Sequence, residues 1–223
     1  MSDSSTIFAR TRLAAVPFVP EIRIQQADER IGLWDLIGGA YSSDRPPPFW
    51  AFAWAGGQGL ARYVLDHPDT VRGLRVLDLA TGSGLVAIAA AVAGAAGVRA
   101  VDVAADAVRA VGLNAAANGV AVEAVLGDVH DGGLFDRMAG DADVVLVGDG
   151  FYSRATAERM LAFLRRAARG GARVLVGDPG REFLPQRQFQ QRAAYDVPTR
   201  PSLEDVPVKR TAIWELPAPT AGR

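Results

Sequence analysis

Apolar and polar residues alternate in blocks along the chain, and from residue 75 onward short apolar runs take turns with longer amphipathic segments. Short apolar runs bounded by glycine or acidic residues are typical of buried strands, whereas the longer segments have the spacing of helices. Strands are predicted at 75–79, 98–103, 122–126, 143–148 and 172–177, and helices at 84–94, 105–117 and 153–169. Strands that alternate with helices indicate a mostly parallel sheet with right-handed crossover connections.

The last part of the chain has a different pattern. After a short predicted helix near 182–191, two strand-like runs at 193–200 and 210–217 follow one another without an intervening helix. They are expected to form an antiparallel hairpin at the edge of the sheet. The predicted fold is therefore α/β, with a Rossmann-like, seven-stranded, mostly parallel sheet, an antiparallel terminal strand and helices on both faces.

The N-terminal part is less regular. A strand is predicted at 17–26, a short element at 30–36 and a helix at 57–65, and the run DRPPP at 44–48 interrupts any regular structure between them. A chain of 223 residues fits one domain that carries an N-terminal extension. We expect the extension to comprise residues 1–56 and the domain residues 57–223.

The composition of the chain argues against several classes of function. The net charge of −1 gives no global electrostatic case for binding nucleic acid or an anionic membrane surface. Because the chain has no cysteine and two histidines, disulfides, a thiol nucleophile and a multi-histidine metal site are not expected. The first residues lack the apolar core of a signal peptide, so a cytoplasmic protein is expected. Nothing in the sequence specifies an oligomeric state.

The segment Val76 to Gly84, VLDLATGSG, is the strongest indication of a ligand site. It has the pattern of a strand, a turn of small residues and the start of a helix, and glycines in such a turn let the backbone approach a ligand closely. Asp78, Asp102 and Asp128 each stand at the end of a strand-like run. Carboxylate oxygens at such positions accept hydrogen bonds from ribose hydroxyls, which predicts a cofactor that contains a nucleoside.

Two types of cofactor fit this turn. Gly82, Gly84 and Ala87 agree with the G-x-G-x-x-G/A pattern of dinucleotide-binding proteins, so a dinucleotide-dependent oxidoreductase is one possibility. However, Asp78 precedes the loop, where its carboxylate would repel a pyrophosphate but accept hydrogen bonds from an ammonium group. The sequence therefore favours an amino-acid nucleoside over a dinucleotide.

The segment VLDLATGSG resembles the first motif of class I S-adenosylmethionine-dependent methyltransferases, with Ala80 in place of the usual first glycine. The resemblance covers about residues 57–217 and includes the terminal antiparallel strand. It implies that S-adenosylmethionine is the cofactor, that Asp102 binds its ribose and that Asp128 binds its adenine amino group. The other cofactor-binding candidates that it implies are Trp54, Asp78, Ala80, Thr81, Gly82, Gly84, Val103, Asn118, Gly127 and Val129.

Four further motifs narrow the resemblance. They are PFWAFAWAGG at 48–57, GLNAAANGV at 112–120, GDGFYS at 148–153 and GDPGR at 177–181. Together they resemble the electron transfer flavoprotein β-subunit lysine methyltransferases, which are related to ribosomal protein L11 methyltransferases. The resemblance implies a protein substrate, the electron transfer flavoprotein β-subunit, and an N-terminal extension that covers the active site.

The same resemblance assigns roles around the acceptor amine. Asp149 and Tyr152 are the catalytic candidates, and Asp149 would orient the lysine amine or accept its proton. The substrate-binding candidates are Trp50, Phe151, Asp178 and Arg181. Trp50, Trp54, Phe151 and Tyr152 would form an aromatic wall that attracts a cation. Other possibilities are a methyltransferase of another protein, such as a ribosomal one, or of a small amine, and a cofactor-binding module without catalytic activity.

Overall fold

The computed structural model describes residues 7–28, 47–128, 138, 140–200, 203–204 and 206–218. Two N-terminal strands are β1 (Thr11–Val16) and β2 (Val19–Ala27). The other strands are β3 (Arg75–Leu79), β4 (Gly97–Asp102), β5 (Glu123–Leu126), β6 (Val144–Gly148), β7 (Arg173–Asp178), β8 (Gln190–Pro198) and β9 (Val208–Leu216). The helices are α1 (Ala55–Asp66), α2 (Leu85–Val92), α3 (Ala105–Ala117) and α4 (Arg154–Arg169).

The main sheet has seven strands in the order β5-β4-β3-β6-β7-β9-β8. Strands β3 to β7 run parallel to one another, and β9 runs antiparallel to both β7 and β8. The predicted fold class is thus confirmed, including the antiparallel terminal strand. The strand order reverses between β3 and β6, and ligands of such sheets bind at the carboxyl ends of the strands beside this reversal.

Each face of the sheet carries its own hydrophobic core, because side chains along a strand point alternately to the two faces. In β6, Val144 and Leu146 belong to a cluster with residues of α1, α2 and α3, whereas Val145 and Val147 belong to a cluster with residues of α4. Helix α4 begins after Ser153, whose side chain accepts a hydrogen bond from the backbone N–H of Thr156. The helices therefore cover both faces, as predicted.

One predicted helix is wrong. Residues 182–191 contain only a 3₁₀ turn at Gln186–Gln188, and β8 already begins at Gln190. Residue Gln190 pairs with Glu215 of β9 in an antiparallel register, so pairing with a distant strand overrides the local preference of this segment.

Strand β1, which was not predicted, pairs antiparallel with the predicted strand β2. This hairpin is fastened to α3 by two asparagines: the Asn114 and Asn118 side chains accept hydrogen bonds from the backbone N–H groups of Gln25 and Arg23. The predicted element at 30–36 lies outside the described residues, as does most of the DRPPP segment.

Helix α1 begins at Ala55 and follows directly on a 3₁₀ turn at Phe49–Ala51. The boundary between an extension and a domain at residue 56 stays a prediction. In the described part of the chain, no helix has the length and apolar character needed to cross a membrane.

Candidate active site

The loop after β3 turns the chain sharply into α2. Ala80, Gly82 and Gly84 have positive φ angles of 52°, 54° and 81°. A Cβ atom on Gly84 would lie 3.1 Å from a methyl group of Val111 in α3, so this position requires glycine for its backbone angle and for packing. Gly84 is not among the residues that line the cavity described below, and its assignment as a cofactor contact stays a prediction.

Asp78 is buried at the end of β3, directly beneath this loop. One of its carboxylate oxygens accepts hydrogen bonds from the Thr81 hydroxyl at 2.5 Å and from the backbone N–H of Ala87 at 3.1 Å. Burial raises the pKa of Asp78 to about 7, against the effect of these two hydrogen bonds. A bound cation at this position would favour the ionised carboxylate.

Asp102 stands at the end of the neighbouring strand β4. Its two oxygens accept hydrogen bonds from the backbone N–H groups of Gly82, at 2.9 Å, and Ala104, at 3.0 Å. Burial raises the pKa of this carboxyl, which the backbone donors partly oppose. Because a carboxylate offers about four acceptor sites, Asp102 retains capacity to accept a hydroxyl group of a ligand.

A cavity of about 510 Å³ opens between the carboxyl ends of β3, β4 and β6. The structure brings most of the predicted site residues together in its wall. They are Trp50, Trp54, Asp78, Ala80, Thr81, Gly82, Asp102, Val103, Gly127, Asp128, Asp149, Tyr152 and Arg181. Phe49, Phe52 and Met160 also line it and were not predicted, because apolar residues in a turn or on a helix face resemble core positions. Thr156 lines it as well, in the first turn of α4.

Asp149 follows β6 in a left-handed backbone conformation, with a φ angle of 56°. Its Oδ1 accepts hydrogen bonds from Nη2 and Nε of Arg181 at 2.7 and 3.1 Å, and its Oδ2 accepts one from the Gly57 N–H at 3.1 Å. Burial raises the pKa of Asp149, while the charge of Arg181 opposes that rise. The carboxylate therefore joins the end of β6 to the segment after β7 and to the N-terminus of α1.

The close approach of α1 to this carboxylate depends on Gly56. A Cβ atom there would lie 2.5 Å from Oδ2 of Asp149 and 2.4 Å from the carbonyl oxygen of Gly177. The sequence contains a signal for this contact, the paired glycines at 56 and 57 after the tryptophan motif.

Arg181 also holds a second acid. Its Nη2 lies 3.1 Å from Oε1 of Glu204, a residue with 5% exposure, and Oε2 of Glu204 lies 2.5 Å from Nζ of Lys209, the only lysine of the chain. Two acids and two bases thus alternate from the cavity wall to β9. Neither Glu204 nor Lys209 was predicted, because both are distant from the site in sequence.

Asp178 does not line the cavity but binds the backbone of the turn that leads to Arg181. Its Oδ1 accepts hydrogen bonds from the backbone N–H groups of Gly180 and Arg181, each at 2.7 Å, and burial raises its pKa to about 6. In this structure Asp178 is a turn residue that positions the Arg181 backbone, and its assignment to substrate binding stays a prediction.

Phe151 and Asn118 were also assigned to the site, and the structure places both elsewhere. Phe151 is fully buried and packs edge to face against Phe189, with ring centroids 6.2 Å apart. The Asn118 side chain is committed to the backbone of Arg23 in β2, as donor and as acceptor. The buried Phe151 ring and the hydrogen-bonded Asn118 amide thus stabilise the fold. Val129, another predicted cofactor contact, lies outside the described residues.

Trp50 lines the cavity, but its ring packs against a residue that was not predicted to lie near it. It is 2% exposed and its ring stacks on Phe8, with centroids 4.2 Å apart. Its main partner is therefore the N-terminal segment. Among the described residues, no cluster of three or more histidine or acidic side chains could hold a metal ion.

Comparison with known proteins agrees with this geometry. The family described as ribosomal protein L11 methyltransferase (PrmA) matches residues 62–147. The chain is 36% identical over 206 residues to the electron transfer flavoprotein beta subunit lysine methyltransferase of Rattus norvegicus, covering 88% of this chain and 77% of that protein. It is 34% identical over 217 residues to the protein of the same name from Xenopus laevis, covering 95% and 86%.

Solved structures support the fold. A magnesium protoporphyrin IX methyltransferase from Synechocystis, with bound SAM, superposes with a TM-score of 0.50 at 20% identity and covers 72% of this chain and 79% of that one. An RNA methyltransferase from Salinibacter ruber, in complex with S-adenosyl-L-homocysteine, has the same TM-score and identity and covers 74% and 95%. From its identity to the relatives over most of its length, the chain belongs to the electron transfer flavoprotein beta subunit lysine methyltransferase family.

Proposed function

We propose that this protein transfers methyl groups from S-adenosylmethionine to lysine side chains of the electron transfer flavoprotein β-subunit. The observation that carries the proposal is the convergence of Asp78, Asp102 and Asp149 on one cavity, in a chain whose relatives are named for that reaction. A cytoplasmic location stays a prediction.

The cavity fits the cofactor in size and in chemistry. Its volume of about 510 Å³ lies within the usual range for small-molecule sites. Asp78 would hold the ammonium group of the amino-acid part, Asp102 the ribose hydroxyls and Asp128 the adenine amino group. An uncompensated carboxylate at Asp78 opposes a pyrophosphate, which disfavours the oxidoreductase alternative.

The protein has a limited chemical task. The bound cofactor supplies an electrophilic methyl group, and the acceptor must arrive as a neutral amine in line with it. Asp149 is already engaged by Arg181 and Gly57, so it suits orientation of the amine by a free acceptor site better than removal of a proton. The apolar walls around it disfavour the ammonium form of a buried lysine and lower its pKa.

Cofactor affinity is expected to depend on pH through Asp78. Only the ionised carboxylate binds an ammonium group, and the pKa of Asp78 is about 7 in the ligand-free fold. Affinity for S-adenosylhomocysteine should therefore fall by about tenfold per pH unit below pH 7 and level off above pH 8. Calorimetry between pH 5.5 and 8 measures this dependence. An Asp78→Asn variant should bind weakly at pH 8 and lose most of the dependence, whereas a flat profile in the unaltered protein would contradict the assignment.

The reaction itself is tested with the unmodified electron transfer flavoprotein of the same organism. Intact-mass spectrometry after incubation with this protein and S-adenosylmethionine should show steps of about 14 mass units, one CH₂ per transfer, on β-subunit lysines. No shift on that substrate, with S-adenosylhomocysteine still bound, would reject the substrate. Label from the cofactor appearing in ribosomal proteins or in small amines would then identify the alternatives.

A further inference from the structure

We propose that Phe49, Trp54 and Tyr152 form the entrance for the acceptor lysine, and that Phe49 maintains the attraction of this entrance for acceptors that already carry methyl groups. This inference rests on the proposed function. The three side chains are called the aromatic entrance below. Phe49 was not a candidate in the sequence, and it takes the place there that Phe151 was predicted to occupy.

The Phe49 ring contacts the rings of both Trp54 and Tyr152, and all three residues line the cavity. The Phe49 ring centroid lies 5.9 Å from that of Trp54, at an interplanar angle of 65°, and 5.9 Å from that of Tyr152, at 42°. The Trp54 indole N–H donates to the carbonyl oxygen of Phe49 at 2.9 Å, which holds the two residues in this relation. Tyr152 is 53% exposed, so it forms the outer side of the entrance.

The ion pair next to Trp54 is balanced, so this part of the cavity wall attracts a cation through its rings. Asp149 lies in the same cavity wall, but Arg181 neutralises it, and the guanidinium carbon lies 6.0 Å from the Trp54 ring centroid. A lysine ammonium entering here meets aromatic faces beside an ion pair whose charge is already balanced. Aromatic faces attract ammonium ions through their quadrupole, and they do so for methylated ammonium groups as well.

Attraction for methylated ammonium groups distinguishes the aromatic entrance from an entrance formed by carboxylates. In each cycle the ammonium releases one proton to solvent, its nitrogen forms a bond to the methyl carbon, and the carbon–sulfur bond breaks with its electron pair on sulfur. The product is again a cation, but with one N–H donor fewer. A carboxylate that binds through hydrogen bonds loses a partner at every cycle, whereas the rings retain their attraction. The entrance therefore supports successive transfers to one lysine.

The test compares Phe49→Leu with Phe18→Leu. Leucine keeps most of the apolar volume and removes the ring. Phe18 is a partly buried ring that packs against a different core cluster and contacts Tyr195. For F49L we expect the KM for the protein acceptor to rise about three- to tenfold, with kcat and S-adenosylhomocysteine affinity changed less than twofold. The share of di- and trimethylated product at a fixed extent of reaction should fall. F49Y should restore both values, and F18L should behave like the unaltered protein.

Two outcomes would overturn the inference. One is an F49L variant with unaltered KM and product distribution, and the other is an equal loss of cofactor affinity in F49L and F49Y, which indicates packing alone. A binding measurement separates this inference from the choice of substrate. Nα-acetyl-trimethyllysine, titrated by calorimetry in the presence of S-adenosylhomocysteine, should bind the unaltered protein more tightly than F49L even if the flavoprotein is not the acceptor.

Discussion

Replacing Asp149 with asparagine is expected to slow methyl transfer by about 10²–10³-fold while changing the affinity for S-adenosylhomocysteine less than threefold. The amide keeps a group that accepts from the Gly57 N–H, but it cannot balance the charge of Arg181 at 2.7 Å. The guanidinium is then free to move toward Glu204, and the acceptor amine loses the group that orients it. Single-turnover kinetics with saturating cofactor measures the transfer step.

A stability measurement separates the catalytic role of Asp149 from its structural one. Loss of one partner of this pair, whose side chains are 11% and 24% exposed, should destabilise the ligand-free protein by roughly 2–4 kcal/mol. The double variant D149N/R181M removes both charges and should recover part of that loss in urea unfolding. If transfer recovered in parallel with stability, Asp149 would have a structural role only, whereas stable but inactive protein supports its role at the amine.

Replacing Asp102 with asparagine is expected to weaken S-adenosylhomocysteine binding by about 10²-fold. Hydrogen bonds to a charged acceptor are worth about 1.5–3 kcal/mol each, and the loss of one from a ribose hydroxyl in the upper part of that range corresponds to about 10²-fold. The substituted amide also places an NH₂ group against the backbone donors of Gly82 or Ala104, which disturbs the loop above it. Calorimetry with S-adenosylhomocysteine measures the change.

The matched control for Asp102 is Asp69→Asn. Asp69 makes an ion pair with Arg72 and its side chain is 91% exposed, outside the cavity wall. The same chemical change there should alter the dissociation constant by less than twofold, because exposed pairs contribute little. Comparable losses in the two variants would show a general effect of the substitution and remove the assigned contact between Asp102 and the ribose.

Local patterns predicted the central part of the fold because the physical causes there are local. The strand at 75–79 and the helix at 105–117 have their predicted bounds, since apolar periodicity and buried faces coincide in these segments. The helix predicted at 182–191 was wrong, because Gln190 pairs with Glu215 of β9 instead of adopting the helical conformation that its neighbours in sequence suggest. Strand β1 was missed for the same reason: its stability comes from pairing with β2.

The sequence by itself determined the acids of the cofactor site. Asp78 and Asp102 end adjacent parallel strands, so the topology of the sheet brings them together without further information. Only the tertiary structure decided which aromatic residues face the cavity and which acid is neutralised by an arginine. Phe49 and Phe151 have the same side chain, yet one lines the cavity and the other is sealed against Phe189. Glu204 reaches Arg181 across many residues, because long-range packing, which no local pattern encodes, places the two charges 3.1 Å apart.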